Sequence, residues 1–174
     1  MEKDYLDIRK VLTNEVELLQ QISKQTFMET YSTGNTVKNM NRYLEEEFSI
    51  ENLASELNDE NAAFYFARYD SKIVGYLKVN FGDSQTELHD KNTLEIQRIY
   101  VSKKFQGSGI GKSLYKKAIK IAQEKEVEFV WLGVWEENPK AIRFYEKVGF
   151  EAFDKHIFVL GDEEQTDIMM KKVV

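Results

Sequence analysis

Residues 98–113 read Arg98-Ile-Tyr-Val-Ser-Lys-Lys-Phe-Gln106-Gly-Ser-Gly-Ile-Gly111-Lys-Ser113. The apolar run that ends at Val101 is typical of a strand, and three glycines at alternate positions from 107 to 111 lead into an amphipathic segment. Glycine accepts positive φ and lets a ligand approach the backbone closely. The N-terminus of a helix directs unpaired N–H groups and the positive end of its dipole toward one point. We therefore predict a strand, a glycine turn and a helix that together bind an anion, most often a phosphate.

Two nucleotide-binding motifs fail on spacing. A Walker loop, G-x-x-x-x-G-K-[ST], would end on Gly111-Lys112-Ser113, but its first glycine would fall at position 106, which is Gln. A dinucleotide fingerprint, G-x-G-x-x-G, would start at Gly107 but needs a third glycine where Lys112 stands. That fingerprint also usually follows the first strand of its domain, whereas much of this chain comes before the glycines. The spacing therefore disfavours a nucleotide-binding protein.

The spacing that does match is Q-x-x-G-x-G, formed by Gln106, Gly109 and Gly111. It resembles the acetyl-CoA pyrophosphate loop of the GCN5-related N-acetyltransferases, the GNAT family. A second segment, Asn138-Pro-Lys-Ala-Ile-Arg-Phe-Tyr-Glu-Lys-Val-Gly-Phe150, resembles the family signature N-x-x-A-x-x-F-Y-x-K-x-G-F at every position. Its residue types also suit a short helix capped by Asn138, with Pro139 in the first turn and a left-handed stop at Gly149. Such a helix docked on a sheet is the plainer interpretation of the second segment.

Hydrophobic periodicity predicts the element order β-α-α-β-β-β-α-β-α-β-β. The strands are expected at 5–12, 62–69, 73–81, 93–101, 128–135, 150–160 and 166–173, with Gly161 to Glu164 linking the last two. Helices are expected at 14–31, within 36–58 as one or two helices, after the glycine turn, and from Asn138. This order matches the GNAT fold, an α/β (α+β) class. The resemblance implies a mixed, mostly antiparallel sheet of about seven strands with flanking helices, in which parallel strands 93–101 and 128–135 splay apart.

The resemblance also implies how acetyl-CoA binds as cosubstrate. Its pantetheine arm would enter the splayed gap and bond the backbone of Ile99, Tyr100 and Val101. The pyrophosphate would be held by N–H groups of Gln106, Gly107, Ser108, Gly109, Ile110, Gly111 and Lys112. Asn138 would reach the pantetheine or phosphate arm from the other side, with Tyr145 and Lys147 also on the cofactor.

Acetyl transfer needs a neutral amine, and alkylamines have a pKa near ~10.4 in water. A base can remove the proton, N–H donors can stabilise charge on the thioester oxygen, and an acid can protonate the departing thiolate. By resemblance, Tyr145 is the acid and the backbone of Ile99 to Val101 polarises the carbonyl. Glu95, on the cofactor strand, is the candidate base. Glu95 can alternatively be a solvated strand residue or an ion-pair partner of Arg98.

The resemblance implies that the first helices and the loop beyond residue 82 form the acceptor side. Glu29 and Tyr31, near the end of the first helix, could line the amine site. Residues 45–60 contain seven acidic residues and no Lys or Arg. They form either a solvated helix face or an acidic funnel for a polycation. Three segments resemble PaiA-type spermine/spermidine acetyltransferases: Leu94 to Val101, the two tryptophans up to Trp135, and Gly161 to Asp167. That group often has Glu where this chain has Gln97, which weakens any catalytic role for that position.

Composition excludes several other classes. The length of 174 residues suits one domain over 1–174, and the absence of Cys excludes disulfides and thiolate metal sites. It also fits a reducing cytoplasm. No apolar run approaches a membrane span, and the N-terminus lacks the regions of a signal peptide. A net charge of −6 disfavours nucleic acid and favours cationic small molecules. His89 and His156 lack neighbours at metal-ligand spacing, so we expect no metal and ordinary surface or edge positions.

Four functions remain at this point. The first is acetyl transfer to a polyamine or similar small amine. The second is acetyl transfer to a protein or peptide amine, which needs an open groove. The third is an acyl-CoA-binding regulatory module without turnover, and the fourth is the disfavoured nucleotide-binding protein. Relatives of this kind often form homodimers, so a homodimer is also expected.

Overall fold

A seven-stranded sheet runs through the computed structural model, which describes residues 5–89 and 92–174. The strands, in chain order, are β1 (Leu6–Lys10), β2 (Ala62–Tyr69), β3 (Lys72–Phe81), β4 (Thr93–Val101), β5 (Phe129–Trp135), β6 (Glu151–Leu160) and β7 (Glu163–Val173). Their order across the sheet is β1-β2-β3-β4-β5-β7-β6. Every neighbouring pair is antiparallel except β4 and β5, which are parallel. The predicted mixed, mostly antiparallel fold class is confirmed.

Local capping sets the boundaries of the helices. They are α1 (Val16–Tyr31), α2 (Val37–Glu47), α3 (Ile50–Leu57), α4 (Ile110–Glu124) and α5 (Pro139–Lys147). The segment predicted to hold one or two helices holds two, because the Ser49 side chain accepts the N–H of Asn52 and starts α3. A serine hydroxyl in that position satisfies one of the N–H groups that a helix start leaves unpaired.

One predicted boundary was wrong. Residues Gly161 to Glu164 were expected to link the last two strands, but β7 already begins at Glu163, which pairs with Leu160. Gly161 has a φ of 62°, so it and Asp162 complete a two-residue turn. A turn of that length suffices to reverse an antiparallel pair, and the two glutamates join the ladder.

Two hydrophobic clusters lie on opposite faces of the sheet. One contains Leu114 and Ala118 of α4 and Tyr145 of α5, packed on Leu77 and Ile96. The other contains residues of the first three helices, among them Leu19 and Phe27, packed on Phe66 and Tyr76. A fully buried Leu or Phe side chain contributes about 1.5–3 kcal/mol relative to an exposed one. The helices therefore form one layer on each face of the sheet.

The parallel strands part after three residue pairs. Thr93, Leu94 and Glu95 pair with residues 129 to 131, and no further pairs join the two strands, although β4 continues to Val101. Beside this point β4 has a bulge: Lys78 pairs with Arg98 but Val79 pairs with Ile96, so Gln97 is the extra residue. A bulge bends its strand and increases the local twist. The gap between β4 and β5 that follows confirms the predicted splay.

Candidate active site

A cavity of about 500 Å³ occupies the gap between β4 and β5. Its lining comes from α1 on one face of the sheet and from α4 and α5 on the other, so it passes through the sheet. Such a passage can bring together two ligands that arrive from opposite faces.

The glycine turn lies at one end of the cavity. Gly107 and Gly109 have φ of 82° and 87°, in the left-handed region that glycine reaches without strain. The first helical bond of α4 runs from the Ser113 N–H to the Gly109 carbonyl at 3.1 Å, so the three N–H groups before Ser113 precede the helical ladder. Gly107, Gly109, Gly111 and Lys112 line the cavity. This end is therefore suited to an anion.

Three other residues of the turn serve its structure. The Gln106 amide donates to the Val101 carbonyl at 3.1 Å and ties the turn to the end of β4, and Gln106 also lines the cavity. The Ser108 hydroxyl donates to the Phe105 carbonyl. The Ile110 side chain is buried in the core. Neither Ser108 nor Ile110 is in the cavity lining, so their side chains are not placed to contact a ligand.

The start of α5 forms the wall opposite the glycine turn. The Asn138 side chain accepts the N–H of Ala141 at 3.2 Å and caps the helix, with Pro139 in its first turn. Asn138 and Lys140 line the cavity, whereas Lys147 lies exposed at the far end of α5 and outside the lining. Lys140 is a residue that sequence reasoning missed. Its position two residues after the cap, in the turn that faces the glycine loop, was the available signal.

Tyr145 lies in the middle of the cavity wall. Its ring packs edge-on against Phe144 at 5.2 Å and Phe150 at 5.5 Å between centroids, and the residue is 7% exposed. Burial raises the pKa of the Tyr145 hydroxyl well above its ordinary value. The group therefore keeps its proton at neutral pH and can donate it. Ile99, Tyr100 and Val101, whose backbone is predicted to bind the pantetheine arm, also line the cavity.

Aromatic rings surround the α1 end of the cavity. The Tyr31 ring lies 5.5 Å from Trp135 and 6.0 Å from Phe158 between centroids, and the Tyr31 and Tyr100 hydroxyls are 3.5 Å apart. Burial raises the pKa of both tyrosines, so neither is ionised at neutral pH. The faces of aromatic rings attract cations. This end of the cavity is thus suited to a cationic group with an apolar stem.

The structure places Glu95 outside the cavity lining. The residue is 3% exposed, and its carboxylate accepts the Asn80 amide and the Thr86 N–H, each at 2.9 Å, as well as the Thr86 hydroxyl. Gln97 lines the cavity instead, and its side-chain oxygen accepts the same Asn80 amide at 2.8 Å. The carboxylate of Glu95 therefore anchors the segment at Thr86. A base role for Glu95 stays a prediction that these contacts do not favour.

The alternative prediction that Glu95 pairs with Arg98 is wrong, because Arg98 binds a different carboxylate. Arg98 donates to both oxygens of Glu56, at 2.9 and 3.2 Å, and Lys78 lies 3.4 Å from the same carboxylate. Arg98 and Lys78 are both buried. In the described part of the chain, the carboxylate that Arg98 binds is thus the one contributed by α3.

The remaining acidic candidates do not line the cavity. Glu29 accepts the N–H of Lys103 at 3.0 Å and joins α1 to the segment after β4. None of the seven acidic residues between 45 and 60, all of them described, is in the cavity lining. Glu45, Glu46 and Glu47 are exposed on α2, which fits a solvated helix face better than a funnel into this cavity.

The described residues contain neither a cluster of metal ligands nor a helix that could span a membrane. Over 5–89 and 92–174, no three His, Cys, Asp or Glu side chains cluster in a way that could hold a metal ion. None of the helices in those ranges has the length and apolar character that crossing a bilayer requires.

Comparison with known proteins identifies the family of the chain that forms this cavity. The model of the acetyltransferase (GNAT) family matches residues 23–150. An uncharacterised N-acetyltransferase of Lactobacillus delbrueckii subsp. lactis is 40% identical over 153 residues, 88% of each chain. A spermidine N(1)-acetyltransferase of Thermoplasma acidophilum is 24% identical over 171 residues, 96% of each chain. A crystal structure of PaiA N-acetyltransferase from the same organism, in complex with coenzyme A, aligns with a TM-score of 0.80 at 24% identity, covering 98% of this chain and 99% of that one.

The chain belongs to the GNAT family of acetyltransferases. It is an N-acetyltransferase whose cosubstrate is acetyl-CoA. The resemblance to the GNAT family inferred from the two motifs is confirmed, and a PaiA N-acetyltransferase is among the similar structures. The regulatory module without turnover and the nucleotide-binding protein are thereby set aside.

Proposed function

We propose that the protein acetylates a primary amine of a small polycation of the spermidine and spermine class. The observation that carries this proposal is the cavity through the sheet, with an anion-binding turn at one end, Tyr145 in its wall and aromatic rings at the other end. A flexible, linear polyamine fits a passage through a sheet better than a folded protein does. The Thermoplasma relative named for spermidine N(1)-acetylation points the same way.

The cosubstrate would bind along the glycine turn and β4. N–H groups at the start of α4, with the ammonium groups of Lys112 and Lys140, would hold the diphosphate. Hydrogen bonds that involve a charged group contribute about 1.5–3 kcal/mol each. After Glu95, no described strand pairs with the β5-facing edge of β4. Apart from the Val101 carbonyl, which already accepts the Gln106 amide, the backbone groups of that edge can therefore bond the amides of the pantetheine arm. Asn138 would contact that arm from the α5 side.

The acceptor would bind among Tyr31, Tyr100 and Trp135. Cation–π contacts contribute about 0.5–1 kcal/mol at exposed sites and about 2 kcal/mol where water is excluded. The net charge of −6 adds a long-range attraction for polycations. Tyr145 would give its proton to the sulfur as the carbon–sulfur bond breaks. The predicted contacts of Glu29 and Lys147 form no part of this proposal, because these side chains lie outside the cavity lining.

The direct test incubates the full chain with acetyl-CoA and a panel of amines and follows free thiol. We expect thiol release with spermidine and spermine at a kcat/KM well above that for lysine-ended peptides. Faster release with the peptides would favour the protein-amine alternative, and none with any polyamine would refute the proposal. The cytoplasmic location, the homodimer and the single domain over 1–174 stay predictions from the sequence.

A further inference from the structure

The cavity lacks an obvious group to take the proton from an ammonium ion. Among the described residues that line it there is no Asp, Glu or His. The lining does contain Gly133, a glycine in the middle of β5. A glycine within a strand often marks a place where another group approaches the backbone closely.

Two ionisable side chains lie directly against Gly133. A Cβ atom added there would stand 3.3 Å from Oδ2 of Asp167 and 3.4 Å from Cε1 of His156. Because position 133 carries no side chain, the carboxylate and the imidazole ring can lie directly against the Gly133 backbone, which is part of the cavity wall. They are therefore the described acid–base groups adjoining the gap between the two splayed strands.

Strand register brings this pair to the acceptor side. His156 of β6 and Trp135 of β5 are both cross-strand partners of Asp167 on β7. Directly opposite residues of antiparallel strands share a face of the sheet. That face carries the Trp135 ring, which contacts Tyr31 of α1. The pair thus adjoins the aromatic end of the cavity.

One ring nitrogen of His156 faces the carboxylate and the other has no hydrogen-bond partner in the described part of the chain. Nε2 of His156 lies 3.9 Å from Oδ2 of Asp167, and Nδ1 of His156 is buried with no hydrogen-bond partner among the described residues. A carboxylate facing Nε2 favours the tautomer with hydrogen on that nitrogen, which leaves the lone pair on Nδ1. The ionisable groups that interact with Asp167 are His156, Tyr31 of α1 and Tyr100 of β4. Burial raises the pKa of Asp167, and the neighbouring histidine opposes that shift.

We propose that His156 is the base that takes a proton from the acceptor ammonium through Nδ1, and that Asp167 is a positioning residue that orients its ring. This rests on the proposed acetylation of a small amine. The amine gives one proton to Nδ1 and bonds to the acetyl carbon as the carbon–sulfur bond breaks. The sulfur takes the Tyr145 proton, and the second nitrogen proton restores that hydroxyl. Imidazolium then loses its proton to water, so one proton is released for each amide and thiol formed.

The test compares His156→Gln with His89→Gln, since the exposed His89 is the other histidine of the chain. General-base groups contribute about 10²- to 10⁴-fold. We expect His156→Gln to lower kcat/KM for spermidine by about 10²-fold and to remove the acidic limb of its pH profile. Coenzyme A affinity and melting temperature should match those of His89→Gln. Asp167→Asn should lower kcat/KM less and shift that limb to lower pH, because imidazolium loses its carboxylate.

A measurement on the unaltered protein tests the role of His156 even if the variants fail to fold. In NMR spectra that resolve both histidines, added spermidine should move the ring resonances of His156, because the bound amine lies beside that ring, and leave those of His89 unchanged. If His156→Gln has unchanged kinetics, or if spermidine does not move the His156 resonances, His156 is not the base. Either result leaves the proposal of polyamine acetylation intact. An unaltered enzyme that binds coenzyme A but acetylates no amine would overturn both.

Discussion

Tyr145 is the residue whose surroundings most clearly determine its chemistry. Phe144 and Phe150 pack against its ring, and burial holds its hydroxyl in the protonated form beside the cavity. An acid in this position acts on the leaving thiolate and contributes little to binding of the ground state. Its removal should therefore affect turnover more than affinity.

Tyr145→Phe should lower kcat by about 10²-fold, in the range for general-acid catalysis, and leave coenzyme A affinity nearly unchanged. Calorimetric titration and steady-state kinetics measure the two quantities. Tyr115→Phe is a matched control, since Tyr115 is also buried beside Phe144 but lies outside the cavity lining. If the affinity of Tyr145→Phe collapses, Tyr145 is a binding residue and the acid assignment is wrong.

Unlike Tyr145, Glu95 has a side chain that is held by hydrogen bonds from its neighbours to both carboxylate oxygens. Asn80 and Thr86 donate to it from β3 and from the loop before β4. In Glu95→Gln an amide nitrogen would face at least one of these donors. A buried donor left without an acceptor costs about 1–3 kcal/mol.

We expect Glu95→Gln to lower the free energy of unfolding by about 1–3 kcal/mol, measured by urea denaturation, while the folded enzyme keeps kcat within a few-fold. A loss of 100-fold or more in kcat at unchanged stability would instead support the base role predicted from the sequence.

The glycine turn and α4 act as one element, because the backbone conformation of the turn aims the helix start at the cavity. Gly109 has a φ of 87°, and an added Cβ would meet nothing within 4 Å. Gly34, between α1 and α2, has a φ of 89° and equally open surroundings. The two glycines thus share the same backbone strain on substitution, but only Gly109 is at the cavity.

Both Gly109→Ala and Gly34→Ala should lose about 1–2 kcal/mol of stability, the cost of a side chain in the left-handed region. Only Gly109→Ala should weaken coenzyme A binding, because relief of that strain turns N–H groups away from the diphosphate. Calorimetry with coenzyme A, alongside thermal unfolding, separates the two effects. Equal coenzyme A affinity in both variants would mean that the turn does not hold the phosphates.

Elements determined by nearby residues could be predicted from the sequence. The Asn138 cap, Pro139 and the positive φ of Gly149 fix the ends of α5 within its own segment. Features that depend on strand register could not. Asn80 meets Glu95 only through the pairing of β3 with β4, and Gln97 leaves the regular ladder only because of a bulge in that pairing. His156 and Asp167 are likewise brought together by the register of β6 and β7, which the misplaced start of β7 concealed.

At the scale of the whole molecule, the two faces of the sheet carry different parts of the site. The α4 and α5 face carries the glycine turn and Tyr145, and the α1 face carries the aromatic end of the cavity. The cavity connects the two faces, because β4 and β5 pair over only three residues and leave a gap. We propose that acetyl-CoA and the amine enter from opposite faces of the sheet and meet in that gap.

A crystal structure of the ternary complex with coenzyme A and spermidine tests this claim most directly. We expect the diphosphate at the glycine turn, the sulfur beside the Tyr145 hydroxyl, and a spermidine nitrogen between that sulfur and the rings of Tyr31 and Trp135. Spermidine bound to the acidic surface of α2 and α3, with the aromatic end of the cavity empty, would contradict it.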